Sequence, residues 1–111
     1  MLNELVVATF LITGYAPGKD PVTKRSCGAT GLTRAQTTPV AEITVAADPK
    51  VLPLGSRIEI EGLVGERHVH DTGGDIKGHR LDLYFKTCKE AKDWGRRHRR
   101  VRVTHVPRRQ K

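Results

Sequence analysis

Glycine and proline break this chain so often that only short elements fit between them. Eleven glycines and six prolines are spread over 111 residues, and the segments they bound carry the period-two alternation of half-buried strands. Residues 5–15 are rich in Val, Ile, Thr and Phe and stop at Ala16-Pro17-Gly18. Residues 43–46 are a short apolar run, ending in Asp48-Pro49. In residues 57–61, Ile58 and Ile60 face inward and Glu59 and Glu61 outward. The same period puts Arg67, Val69 and Asp71 on one face of the next strand and His68 and His70 on the other. Leu81, Leu83 and Phe85 oppose Asp82 and Tyr84, and a closing strand alternates Val101, Val103 and His105 with Arg102 and Thr104 before Pro107. The one helical signature is Thr87-Cys88-Lys89-Glu90, a capping box with Gly95 as the stop. Cys88, Ala91 and Trp94 then share a helix face, so Trp94 is expected in the core and not as a platform for a sugar. Six short strands and one short helix predict a single all-β domain built as a small barrel.

The apolar content, 37% with five aromatic residues, supports one modest core and no second one. Charge is more informative when split. Residues 1–95 carry twelve Lys or Arg against twelve Asp or Glu, whereas Arg96 to Lys111 carry eight cations and no acid, so the net +8 belongs to the C-terminal end. Its partner should be anionic, and nucleic acid, an anionic membrane and anionic wall polymers all qualify on electrostatics; a solvated tail that keeps the protein soluble is the plain alternative. Two cysteines, Cys27 and Cys88, exclude a disulfide framework and, without CxxC or Cys-His spacing, a structural zinc site. Whether they form one bridge is open in the sequence. The apolar run at residues 5–12 lacks a basic flank and a small-residue cleavage site and carries Glu4 beside it. It reads as a strand, neither a signal peptide nor a membrane span. The polar stretch at residues 19–39 reads as a long loop. His68 and His70 on one strand face could begin a metal site, but a third ligand would have to come from elsewhere, from His79 or Asp75, and the polar-face reading is preferred.

The densest chemistry lies in DTGGDIKGHRLDLYF, residues 71–85. Carboxylates at Asp71, Asp75 and Asp82, glycines at Gly73, Gly74 and Gly78, and cations at Lys77 and Arg80 crowd into it. Alternation holds Asp82 on a rigid strand, while the Gly73-Gly74 pair allows a positive φ or a close approach to the backbone. The loop is expected to fold back over Asp82. A carboxylate in a partly apolar cleft rises in pKa by desolvation towards values useful to a general acid, with Lys77 and Arg80 opposing. The plainer reading makes DTGG a turn and Asp82 a solvated strand residue.

A family resemblance rests on these residues together with others. Val45-Ala46-Ala47-Asp48-Pro49-Lys50, Leu52-Pro53-Leu54-Gly55, the 71–85 stretch, Glu90-Ala91 and Trp94-Gly95-Arg96-Arg97 resemble the three-aspartate (3D) domain family. Gly14-Tyr15-Ala16-Pro17 and Thr30-Gly31 resemble its weaker N-terminal segments. That family is similar to the catalytic region of membrane-bound lytic transglycosylase A and to stationary-phase cell-wall muralytic factors. The resemblance implies a six-stranded double-psi β-barrel over residues 1–106, followed by a basic tail at 107–111. The implied substrate is the glycan strand of peptidoglycan. The three name-giving aspartates fall on Asp48, Asp71 and Asp82, with Asp82 as catalytic acid and base and Asp48 in a supporting position. Asp71, Thr72, Gly73, Gly74 and Lys77, with Tyr15, would line the glycan cleft, Asp71 orienting Asp82 or the sugar. Asp75 and His79 depart from the family pattern, and the loop at residues 16–28 is longer and more basic than expected.

The implied reaction needs one carboxylate where ordinary glycosidases use two. The substrate's own C6 hydroxyl is the nucleophile, giving a 1,6-anhydromuramoyl end without metal or organic cofactor. The implied site of action is the cell wall or an extracellular or periplasmic space. The basic end would rest on an anionic wall polymer, with no nucleic acid expected. A wall-binding module without cleavage is the alternative, and a nucleic-acid binder is a third reading.

Overall fold

The structure, a computed structural model, describes residues 7–107. The first two residues of the expected opening strand and most of the basic tail lie outside them. Six strands and one helix follow in order: β1 (Val7–Tyr15), β2 (Thr44–Ala47), β3 (Arg57–Ile60), β4 (Glu66–Asp71), β5 (Arg80–Tyr84), α1 (Cys88–Trp94) and β6 (Arg97–His105). Hydrogen bonds join the strands in the ring β1-β5-β2-β4-β3-β6, which closes through the antiparallel pairing of β6 with β1. Two contacts, β1 with β5 and β2 with β4, are parallel, so the chain must cross over between them. The expected all-β, six-stranded double-psi barrel with one short helix is the architecture observed.

Alternation does the sorting. Ile12, Val45, Ile58, Ile60, Val69, Leu81, Leu83 and Val101 are at most 2% exposed and meet inside the ring. Each such side chain contributes about 1.5–3 kcal/mol by leaving water. Trp94 joins this core and donates from Nε1 to the Ile12 carbonyl at 2.9 Å, so the sequence assignment of Trp94 to the core holds. Helix α1 opens with the expected capping box: Thr87 Oγ1 accepts from the Glu90 amide, and Glu90 accepts from the Thr87 amide. It packs on β1 where Gly14 leaves room. A Cβ there would stand 2.6 Å from the Phe85 ring and 3.2 Å from Ala91 Cα, so helix and strand approach more closely than any side chain allows.

Cys27 and Cys88 form a disulfide, which closes the question the sequence left open. The bridge ties the loop at residues 16–28 to the start of α1. Lys92 adds an ion pair to Asp20 at 2.6 Å, and Asp20 also accepts from the Val22 amide at 2.8 Å. The loop has its own narrow ladder, Ala16 opposite Gly28 and Lys19 opposite Ser26.

The C-terminal cations are less of a tail than the sequence suggests. Strand β6 begins at Arg97, four residues earlier than the alternation of Val101 and Val103 marks, because Arg97 to Arg102 pair with β1. The Arg97 guanidinium lies over the Trp94 ring at 4.3 Å, and Arg102 pairs with Glu59. Both side chains therefore have partners within the barrel.

Candidate active site

A single lateral row across the sheet organises the site. Ala46 on β2 pairs with Asp71 on β4 and with Asp82 on β5, and Asp82 pairs in turn with Thr13 on β1. Directly paired residues share a face, so Asp71, Asp82 and Thr13 project together, with only a methyl group between the two carboxylates. Strict alternation had put Asp71 with Val69. The register of β2 against β4 jumps from Val45↔Val69 to Ala46↔Asp71, skipping His70. That bulge turns Asp71 away from the core and towards Asp82.

Asp82 is half-buried, and Thr13 Oγ1 donates to its Oδ1 at 3.0 Å. Burial pushes its carboxyl up to about 6. The Thr13 hydrogen bond and the charge of Arg80 pull the other way, and the negative charge of Asp71 adds to the rise. Asp75, the extra carboxylate of the loop, is exposed, and its main-chain carbonyl accepts from Arg80 Nη1 at 3.3 Å.

Asp71 is held from three sides. Tyr15 donates its phenol proton to Oδ2 at 2.9 Å, and the amides of Arg34 and Thr72 both donate to Oδ1 at 3.0 Å. Burial first, then the charge and hydrogen bond of Asp71, hold the Tyr15 phenol far above its ordinary value. Tyr15 is therefore a fixed donor at any physiological pH. Its ring meets Tyr84 edge to face at 5.4 Å.

Asp48 has a different task. Its Oδ2 accepts from the Gly78 amide at 2.8 Å and its Oδ1 from the Lys50 amide at 3.0 Å. These hydrogen bonds, the Gly78 one above all, hold its carboxyl below the usual range. Asp48 thus anchors the loop between β4 and β5, which is pinned at Asp48 and not drawn over Asp82 as the sequence suggested. Gly78 adopts φ 68°, the left-handed region. Gly73 and Gly74 do not; Gly73 is required instead because a Cβ would come within 2.8 Å of Ile76, whose side chain plugs the loop. Lys77 is exposed and its charge acts on Asp48.

An open groove of about 500 Å³ runs beside this row, lined by Thr13, Tyr15, Gly28, Asp82, Lys92 and the disulfide. Of the residues expected in the cleft, Tyr15 and Asp82 line it. Asp71 adjoins it through the Tyr15 hydrogen bond, Thr72 is tied to Asp71 by its amide, and Gly73, Gly74 and Lys77 belong to the Asp48-anchored loop; none of these four loop residues is among its walls. Thr13 was missed, since its role depends on a parallel register; its only trace in sequence is a hydroxyl two residues before Tyr15 on the same face of an otherwise apolar strand. His68 and His70 meet edge to face at 5.4 Å, but His79 stacks on Phe10 at 4.9 Å.

The 3D domain family matches residues 43–106, a span that contains all three aspartates. The chain belongs to the 3D domain family. Among its relatives, the cell wall-binding protein YocH of Bacillus subtilis is 38% identical over 93 residues, covering 84% of this chain and 30% of that protein. The structure of Escherichia coli MltA with bound chitohexaose superposes with a TM-score of 0.58 at 20% identity, over 74% of this chain and 30% of MltA. The lytic transglycosylase LtgG of Burkholderia pseudomallei gives a TM-score of 0.51 at 25% identity, over 68% of this chain and 26% of LtgG. The chain thus spans less than a third of the length of each of these proteins. Among the described residues no helix is long and apolar enough to cross a membrane.

Proposed function

We propose that this 3D domain is a peptidoglycan lytic transglycosylase that cleaves the β-1,4 bond between N-acetylmuramic acid and N-acetylglucosamine. The observation that carries the reading is Asp82: a half-buried carboxyl titrating near 6 on the wall of an open groove, braced by Thr13 and beside a second, fixed carboxylate. A group with that pKa holds a proton in a useful fraction of molecules near neutrality and can take it back. Protonated Asp82 gives its proton to the glycosidic oxygen as the C1–O bond breaks. The Asp82 carboxylate then accepts the C6 hydroxyl proton as that oxygen bonds to C1. The leaving sugar departs with a free hydroxyl, the muramoyl end becomes a 1,6-anhydride, and Asp82 is protonated again without water or a co-reactant. Asp71, locked by Tyr15, orients the sugar and stabilises positive charge developing at C1. Asp48 acts at one remove, by anchoring at Gly78 the loop that follows Asp71. The exposed cations of β6 would rest against an anionic wall polymer, and the site of action would be the cell wall or the periplasm.

The kinship with MltA, a lytic transglycosylase seen with a chitohexaose, supports this reading. YocH, named as a cell wall-binding protein, favours a second one, in which the groove holds glycan strands without cutting them. Mass spectrometry of soluble products from purified peptidoglycan separates the two. Wild-type protein should release 1,6-anhydro muropeptides and Asp82→Asn should release none. Reducing ends would make the domain a hydrolase and direct attention to Asp71 as a second carboxylate. Retention on the wall material with no product would leave a binding module.

A further inference from the structure

A second cavity, about 480 Å³ in volume, opens on the other flank of α1, where Glu90 and Trp94 line it, whereas Ala91 and Lys92 face the Asp82 groove. Leu63, Leu83, Tyr84, Phe85 and Trp94 make its walls largely apolar and aromatic. Of its four charged lining residues, Glu42, Lys86 and Glu90 are exposed and one, Arg67, is buried. Arg67 is only 7% exposed, because it stands opposite the fully buried Ile58 in the β3–β4 ladder and points to the core side of the strand.

One nitrogen of that guanidinium is buried and unmatched. Among the described residues its Nε has no hydrogen-bond partner, and Arg67 takes part in none of the ion pairs. Burial lowers its pKa and the charge of Glu42 opposes that shift, yet Glu42 is exposed and forms no bond to it. A buried donor with no partner is unfavourable, and each such group in a folded protein calls for an explanation. A largely apolar cavity with a few convergent polar groups is the usual form of a small-ligand site.

We propose that this cavity binds the free carboxylate of a short peptide, with the Arg67 fork receiving both carboxylate oxygens and the aromatic walls packing on the terminal side chain. The rim argues for a peptide over a phosphate. Glu42 and Glu90 line the cavity with Lys86, so a dianion would meet two carboxylates, whereas a zwitterionic chain offers an ammonium group to them. Taken with the peptidoglycan reading, on which this identification of the source rests, the ligand is the peptide stem carried by the muramoyl residue.

The test is a titration followed by NMR at the Arg67 Nε–H signal, with a synthetic stem peptide ending in D-alanine as probe. The free acid should shift that signal saturably, and the same peptide as its C-terminal amide should bind at least roughly tenfold more weakly. Arg67→Met should lose the discrimination between acid and amide, Arg67→Lys should weaken it, and Glu42→Gln should leave it intact. Acid and amide titrating alike in the wild type, or no saturable shift with millimolar acid, would overturn the proposal without requiring any variant to fold. A loss of folding in Glu42→Gln would also overturn it, by making Glu42 the partner of Arg67. The probe contains no glycosidic bond, so the outcome separates from the cleavage reading. Peptide binding by a domain that releases no anhydro product would sink the cleavage alone, and cleavage without peptide binding would sink this site alone.

Discussion

Thr13 Oγ1 lies 3.0 Å from Asp82 Oδ1 across the parallel β1–β5 pairing. The hydroxyl donates to the ionised carboxylate and so works against burial, which nevertheless wins and leaves the group near 6. Thr13→Val keeps the shape and removes the donor. The pKa of Asp82 should rise further and the alkaline limb of the cleavage profile should move up with it. Activity on the acid side should stay within about tenfold of wild type, because the acid form loses little. Product release from peptidoglycan measured across pH checks this; an unmoved limb would show that some other group controls the reaction.

Asp82 also carries a stability signature with a definite sign. Its folded-state value of about 6 lies above the ordinary 3.8, so the native state binds this proton more tightly than the unfolded chain. The associated stability is present in full below the unfolded value and is lost as pH rises through the folded one. Asp82→Asn has no proton to lose. Each tenfold difference in proton affinity between the folded and unfolded chain is worth about 1.4 kcal/mol, so the variant should gain about 2–3 kcal/mol on wild type between acid and neutral pH. Urea unfolding at both ends of that range measures it, and the same variant should lose cleavage by roughly a hundredfold or more.

Asp48 should behave in the opposite sense. Hydrogen bonds from Gly78 and Lys50 lower its value, so its contribution is present above the unfolded pKa and disappears as pH falls through the folded one. Asp48→Ala should free the loop at residues 72–79. Exchange of the Gly78 amide at neutral pH should then rise roughly tenfold, as a donor bonded in the native state loses its acceptor. The difference from wild type should close in acid. An unchanged Gly78 rate at neutral pH would mean that Ile76, not Asp48, fastens the loop.

The residues that period two could sort were legible from the amino-acid order alone: the inward faces of β3 and β5, the capping box of α1, and the placing of Asp82 on a rigid strand opposite Leu81 and Leu83. Asp48, Asp71 and Asp82 were legible as a set through their family pattern. What failed was whatever depends on register. The bulge at His70 reverses the face of Asp71, and nothing in Arg67-His68-Val69-His70-Asp71 announces a skipped residue. Thr13 meets Asp82 only because two strands 69 residues apart run parallel. The start of β6 at Arg97 was obscured because it pairs through its backbone while arginines occupy almost every position, leaving no apolar rhythm to read.

The bridge between Cys27 and Cys88 spans 61 residues of sequence and joins the groove-lining loop to α1. Closing a loop of that length restricts the unfolded chain by about 4 kcal/mol in the chain-entropy account. The double variant Cys27→Ser with Cys88→Ser should lose stability of that order, at most, in urea unfolding. The barrel itself should persist, because neither sulfur belongs to the apolar core and the six-strand ring closes without them. The loop at residues 16–28 would then be held mainly by Lys92 to Asp20, a contact whose lysine is largely exposed and which salt can screen. Retention of the double variant on peptidoglycan should therefore fall steeply with added salt, while that of the wild type falls less. Equal stability and equal salt response in the two proteins would mean that the bridge neither restrains the unfolded chain nor shapes the groove.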